Sequence, residues 1–147
     1  MPTFKPDELC RIGREIYEQI GASPEEAETV ANLLVDANLA GHDSHGVVRI
    51  PQYVSAIKRG QIKLGTSPEI EKETAATAIV NGHWGFGHVT AKAAMEVAIE
   101  KARETAVGIV TVHQCNHIGR LGAYTPLAVD AGMAGLITNN GHGADRS

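Results

Sequence analysis

The chain has 147 residues and a formal net charge of −4, with 43% hydrophobic and 20% charged residues, the profile of one globular domain able to bury a core. This mild acidity, without any basic run, excludes electrostatic recognition of nucleic acid or of an anionic membrane surface, and no apolar stretch approaches the length of a membrane span. The opening MPTFKPDELC lacks the apolar core of a signal peptide, so a cytoplasmic location is expected.

A first helix is predicted from Pro6, with Asp7 and Glu8 in its dipole-favoured first turn, a stripe of Leu9, Ile12, Ile16 and Ile20, and Gly21 as the stop. Ser23-Pro24-Glu25-Glu26 is a capping box that opens a second helix, running through Val30, Leu33, Leu34 and Ala37 to about Ala40. Val47 to Ile57 reads as a third helix, with Pro51 at a new first turn or at a break, and Gln61 to Pro68 as a loop. Ile70–Lys72 and Thr77–Val80 read as short strands, joined by a hairpin at Glu73 to Ala76. A long Ala-rich helix follows over Phe86–Thr105, then an apolar strand over Gly108–His113, a helix over Gly119–Ala131 and a strand over Gly135–Thr138. The order α-α-α-β-β-α-β-α-β describes an N-terminal helical segment followed by a layered α/β sheet. Cys10 and Cys115 have neither CxxC nor zinc-type spacing and read as two reduced thiols.

The most informative polar cluster is Asp43-Ser44-His45 with Arg49. A 2-keto acid needs a fork for its carboxylate, which a guanidinium provides, and a proton donor near its carbonyl, which an imidazole provides near neutral pH. If the run is helical, His45 and Arg49 share a face, and Ser44 can orient the ring or pass a proton. The same residues also fit a plainer reading, with Asp43 or Ser44 capping a helix and His45 and Arg49 solvated. No GxSxG elbow accompanies the serine, which argues against a hydrolase.

His113, Asn116 and His117 form a second cluster at a strand end, where sites of α/β proteins gather. His117-Ile118-Gly119-Arg120-Leu121-Gly122 then opens the predicted helix, whose free N–H groups and Arg120 suit a phosphate or a nicotinamide amide. It is not a GxGxxG fingerprint, and a plain glycine-rich turn explains it as well. Gly82-His83-Trp84-Gly85-Phe86-Gly87 has the wrong glycine spacing for a phosphate loop and reads as a turn that buries Trp84 or Phe86. His42 with His45, and His113 with His117, have chelating separations, but neither pair has a third ligand at a compelling spacing, and no metal is expected.

The run Gly41-His42-Asp43-Ser44-His45-Gly46-Val47-Val48-Arg49-Ile50-Pro51-Gln52-Tyr53 carries a resemblance, together with residues 117–124 and Gly135-Leu136-Ile137-Thr138-Asn139. It resembles the type 2 malate/L-lactate dehydrogenase family, whose relatives include ureidoglycolate dehydrogenase, L-sulfolactate dehydrogenase and Δ1-piperideine-2-carboxylate reductase. The resemblance implies an α/β fold of the L-sulfolactate dehydrogenase-like type, distinct from the standard Rossmann fold, and homodimers. The implied activity is hydride transfer between NAD or NADP and a small 2-hydroxy or 2-keto acid such as malate or lactate. By similarity, Ser44 and His45 are the relay and proton-donor pair, Arg49 binds the substrate carboxylate, and His117 is a catalytic histidine near the nicotinamide, favoured in some relatives as the general acid/base in place of His45. His117, Ile118, Gly119, Arg120, Leu121 and Gly122, with Thr138 and Asn139, are the expected cofactor-side residues.

Full members of that family are more than twice as long. Residues 1–65 are therefore expected to form a helical substrate-side segment, and residues 66–147 the start of an incomplete cofactor-binding domain. The same shortness supports a second expectation, an inactive truncated remnant or a subunit fragment that needs a second chain.

Overall fold

The computed structural model describes residues 3–140. Helix α1 (Pro6–Gln19) begins with proline in its first turn beside Asp7 and Glu8. Helix α2 (Pro24–Leu39) opens on the predicted capping box. The Ser23 hydroxyl accepts from the Glu26 N–H at 3.2 Å, and the Glu26 carboxylate accepts from the Ser23 N–H at 2.9 Å. The Glu26 carboxylate also accepts from the Gly65 N–H at 3.1 Å, which fastens the loop after the third helix to the start of α2. Two short 3-10 turns, Asp43–His45 and Val47–Arg49, then lead into α3 (Ile50–Lys58).

Strands β1 (Glu69–Glu73) and β2 (Thr77–Asn81) form the predicted antiparallel hairpin, with a register shift between Ile70 and Lys72. Helix α4 (Gly87–Thr105) makes the crossover to β3 (Ile109–His113), which lies parallel to β2. The sheet order is β1-β2-β3. The inward residues Ala78 and Val80 of β2 are buried, while on the alternate positions Ile79 and Ile109 remain exposed.

Two apolar clusters hold these layers together. The first joins α1, α2 and α3 to the loop before α4 through Tyr17, Val30, Leu34, Tyr53 and Phe86, with the Tyr17 and Phe86 rings edge to face at 5.5 Å. Phe86, and not the half-exposed Trp84, is thus the aromatic that the Gly82–Gly87 turn buries. The second cluster packs α4 against Tyr124, Ala128 and Ile137. Both cysteines are free thiols, and burial pushes the Cys115 thiol up to about 11.

Three elements differ from expectation. The helix predicted over Val47–Ile57 begins as a 3-10 turn and becomes α-helical only at Ile50, where Pro51 needs no N–H partner. The helix predicted over Gly119–Ala131 is a 3-10 turn at Leu121–Ala123 and a six-residue helix, α5 (Thr125–Asp130). Gly119 adopts φ +73°, incompatible with a right-handed helix, and Pro126 sets the true start. Gly135–Thr138 forms no strand. The Met133 N–H bonds the Ala128 carbonyl and turns the chain back under α5, so Ile137 joins the second cluster instead of pairing with β3.

Candidate active site

The 41–49 segment is shaped from the end of α2. The Asn38 amide donates to the Asp43 carboxylate at 2.6 Å, and its carbonyl accepts from the Val47 N–H at 2.9 Å. Gly46 passes so close beneath Asn38 that an added Cβ would fall 2.1 Å from the Asn38 side-chain oxygen. Gly46 is extended and separates the two 3-10 turns. His45 and Arg49 therefore do not share one helical face, contrary to the helical reading. Neither Asp43 nor Ser44 caps a helix, since none of the elements at 43–58 has a side-chain cap. Asp43 is bonded to Asn38, which removes it from the expected polar relay.

The remaining members do converge. Ser44 Oγ and His45 Nδ1 are hydrogen-bonded at 3.0 Å. The His45 ring stacks on the His117 ring, with centroids 5.5 Å apart and planes 21° apart. Arg49 donates from Nε to the Ser44 carbonyl and from Nη1 to Gln52 at 2.6 Å. Its charge acts on His117, whose pKa lies below the usual histidine range because of burial first, then Arg49 and His45.

Two side chains that the sequence reading did not single out complete the cluster. The buried Tyr53 hydroxyl lies 2.7 Å from His117 Nδ1, and burial raises its pKa. His88, in the first turn of α4 and 2% exposed, packs edge to face on Tyr53 at 5.5 Å and on His117 at 6.4 Å. Burial, with the neighbouring His117 and His45, pushes His88 down to about 3 and holds it neutral. Tyr53 stands four residues after Arg49, a spacing that could have drawn attention to it; no comparable signal marks His88.

A cavity of about 530 Å³ opens beside this cluster, with Tyr53, His88, Trp84, Lys63, Asn116 and His117 in its wall. Asn116 braces that wall, its amide within 2.7 Å of the Trp84 carbonyl and 2.9 Å of the Gly85 carbonyl. His113 turns away from His117 and bonds Glu71 across the sheet at 2.8 Å, while His42 bonds the Ala40 carbonyl at 3.0 Å. Neither histidine pair is set to chelate, and among the described residues no three His, Cys, Asp or Glu side chains converge.

The 117–122 run fits only part of what a dinucleotide requires. The partly covered imidazole of His117, still open to solvent on one side, suits the reacting ring of a nicotinamide. The phosphate side is less well provided. Arg120 is paired with Asp36 at 2.7 Å, and the space an added Cβ would need at Gly119 is filled by the His88 ring, 2.5 Å away. The predicted helix start behind residues 119–122 is absent. Ile118 accepts a hydrogen bond from the Tyr124 hydroxyl through its carbonyl. Thr138 and Asn139 are exposed and lie outside any strand.

Comparison with known proteins finds similarity along nearly the whole chain. The family profile described as malate/L-lactate dehydrogenase matches residues 4–144. L-sulfolactate dehydrogenase from Methanothermobacter thermautotrophicus is 44% identical over 137 residues, covering 93% of this chain and 40% of that protein. Among solved structures, malate dehydrogenase from Pyrococcus horikoshii superposes with a TM-score of 0.87 at 34% identity, over 89% of this chain and 38% of that one. Sulfolactate dehydrogenase from Methanocaldococcus jannaschii gives a TM-score of 0.84 at 40% identity, over 86% of this chain and 37% of that one. The chain thus spans about 40% of the length of the curated relatives it matches.

Proposed function

The chain belongs to the malate/L-lactate dehydrogenase family, and from that premise we propose that it carries the substrate side of an NAD- or NADP-dependent oxidoreductase for a small 2-hydroxy or 2-keto acid such as malate or lactate. The observation that carries this reading is the convergence of Ser44, His45, Arg49 and His117 at one exposed edge of the helical layer. In this reading Arg49 holds the C2 carboxylate through its guanidinium, one nitrogen of which is already oriented by Gln52. His45, oriented by Ser44, and His117 face the C2 oxygen and handle its proton. The nicotinamide, when bound, supplies the redox chemistry, and the protein contributes binding, orientation and proton handling. Ile118, Gly119, Arg120, Leu121 and Gly122, with Thr138 and Asn139, are the cofactor-side residues of this proposal. Residues 1–65 supply the substrate-side segment and residues 66–147 begin the cofactor-binding one, and the functional assembly is a homodimer.

Thermal melting of the 147-residue chain tests the proposal. Oxaloacetate or pyruvate, added with NADH or NADPH, is expected to raise the melting temperature, because a ligand that binds only the folded state stabilises it. Arg49→Ala is expected to abolish the acid-dependent part of that rise and leave the cofactor-dependent part. Absence of a shift with every pair, or an acid-dependent shift that survives in Arg49→Ala, would sink the assignment.

A second reading is a non-catalytic chain, or a subunit completed by another polypeptide. It is favoured by the apolar Ile79, Ile109 and Val112, exposed on a sheet whose β3 edge is unpaired among the described residues. A shift with NAD(H) in the isolated chain would argue against the inert form.

A further inference from the structure

His117 has two ring nitrogens, and the structure constrains one of them from two sides. The Gly119 N–H donates to Nδ1 at 3.3 Å, and the Tyr53 hydroxyl lies 2.7 Å from the same atom. A backbone N–H can only donate, so Nδ1 presents a lone pair to it. With no hydrogen on Nδ1, the Tyr53 hydroxyl is also a donor there. The single proton of the neutral ring then belongs to Nε2.

The parts that hold this geometry are themselves held. Tyr53 is buried in α3, wedged edge-on against His88. Gly119 adopts φ +73° directly against the His88 ring, in a space that no larger residue could enter without moving that ring. His88 therefore acts as the shared backing of both donors. Among the described residues, the titratable and charged groups around His117 are His45, His88, Arg49 and Tyr53, with Lys63 in the same cavity wall, and none of these is a carboxylate that would draw a proton to Nδ1.

We infer that Tyr53 and the Gly119 backbone lock His117 in the tautomer with its proton on Nε2, so that this ring offers the C2 oxygen of the acid a hydrogen-bond donor and not a lone pair. The inference rests on the proposed function in taking His117 to face that oxygen. Tyr53, Gly119 and His88 are on this account positioning residues that act through His117. Polarisation of the oxygen falls to His117, and exchange of its proton to His45 beside Ser44.

The test reads the tautomer directly, without substrate or turnover. Long-range proton–nitrogen correlation spectra of the uniformly ¹⁵N-labelled 147-residue chain, recorded at pH above 7, report whether each imidazole nitrogen bears hydrogen, with His117→Gln used for assignment. The expected result is an acceptor-type Nδ1 and a hydrogen-bearing Nε2 for His117, with no sign of the other tautomer. In Tyr53→Phe the Nδ1 signal is expected to move toward that of a tautomer mixture. The titration midpoint of His117 is expected to rise, because one of the two donors that oppose hydrogen on Nδ1 is gone. Hydrogen on Nδ1 in the wild-type chain would overturn the inference, as would a folded Tyr53→Phe chain with unchanged His117 signals and midpoint. If Tyr53→Phe does not fold, the wild-type spectrum still decides. Failure of acid and cofactor to bind would sink the proposed function while leaving the tautomer result standing, so the two failures are distinguishable.

Discussion

Lowering the pH from 7 to 5 should destabilise this chain by an amount traceable to one residue, His88. In the fold this ring is 2% exposed and held neutral, its pKa pushed down to about 3 by burial and by the nearby His117 and His45. In the unfolded chain it titrates near 6.5, the ordinary value. Above pH 6.5 both states are neutral and the stability is complete. As the pH falls below that value the unfolded chain takes up a proton that the folded chain refuses, and stability is lost until the folded pKa is reached. At 1.36 kcal/mol per unit of pKa difference, the window from pH 7 to 5 covers about 1.5 units of this titration, or about 2 kcal/mol. Urea denaturation of the wild-type chain and of His88→Gln at the two pH values measures it. The variant will be less stable at both, since it alters a packed site, but its loss between pH 7 and 5 should be smaller than the wild type's by about 2 kcal/mol. His117, also depressed, contributes a loss of the same sign, and because His88 packs against it, its titration is followed in each chain and its share subtracted. Equal losses in the two chains would refute the claim that His88 is buried and neutral.

Two further substitutions probe how the site is held. Asn38→Ala removes the partner of both the Asp43 carboxylate and the Val47 N–H; it should cost about 1–3 kcal/mol in urea denaturation, the range for leaving a polar group unpaired. It should also speed amide exchange at residues 43–47, and unchanged exchange there would show that Asn38 does not organise the turn. Gly119→Ala puts a Cβ at φ +73° and 2.5 Å from His88 Nε2, so a loss of about 1–3 kcal/mol and a lower melting temperature are expected from backbone strain and ring displacement. A chain with an unchanged melting temperature would mean that the His88 ring is free to move aside.

Local signals carried most of the architecture. The capping box at Ser23 and Glu26, the proline start of α1 and the hairpin between β1 and β2 depend on residues within a few positions of one another, and each formed as the sequence implied. The failures fall where tertiary contacts decide. Gly135–Thr138 has strand composition, yet a strand exists only with a partner, and the Met133 N–H bond to Ala128 steers these residues toward α5. The helix expected from Gly119 is lost because that glycine takes a left-handed conformation to fit against His88, 31 positions earlier in the chain.

The same division runs through the site. Ser44, His45 and Arg49 lie within six residues and were legible as a cluster, although the helical face expected to join them is interrupted at Gly46. What joins them to His117 is not local at all. Tyr53 reaches His117 across 64 positions, and His88 reaches both from α4. A histidine in the first turn of an Ala-rich helix carries no mark of its burial, because that burial comes from Tyr53 on α3 and from the 117–119 turn together. The physical consequence is that the protonation state of His117 belongs to the whole assembly. α3 contributes one hydrogen-bond donor and the Gly119 turn the other, with α4 supplying the wall behind both. A change in any of these three elements should be felt at His117 before it is felt at Ser44 or His45, whose geometry depends instead on Asn38 at the end of α2.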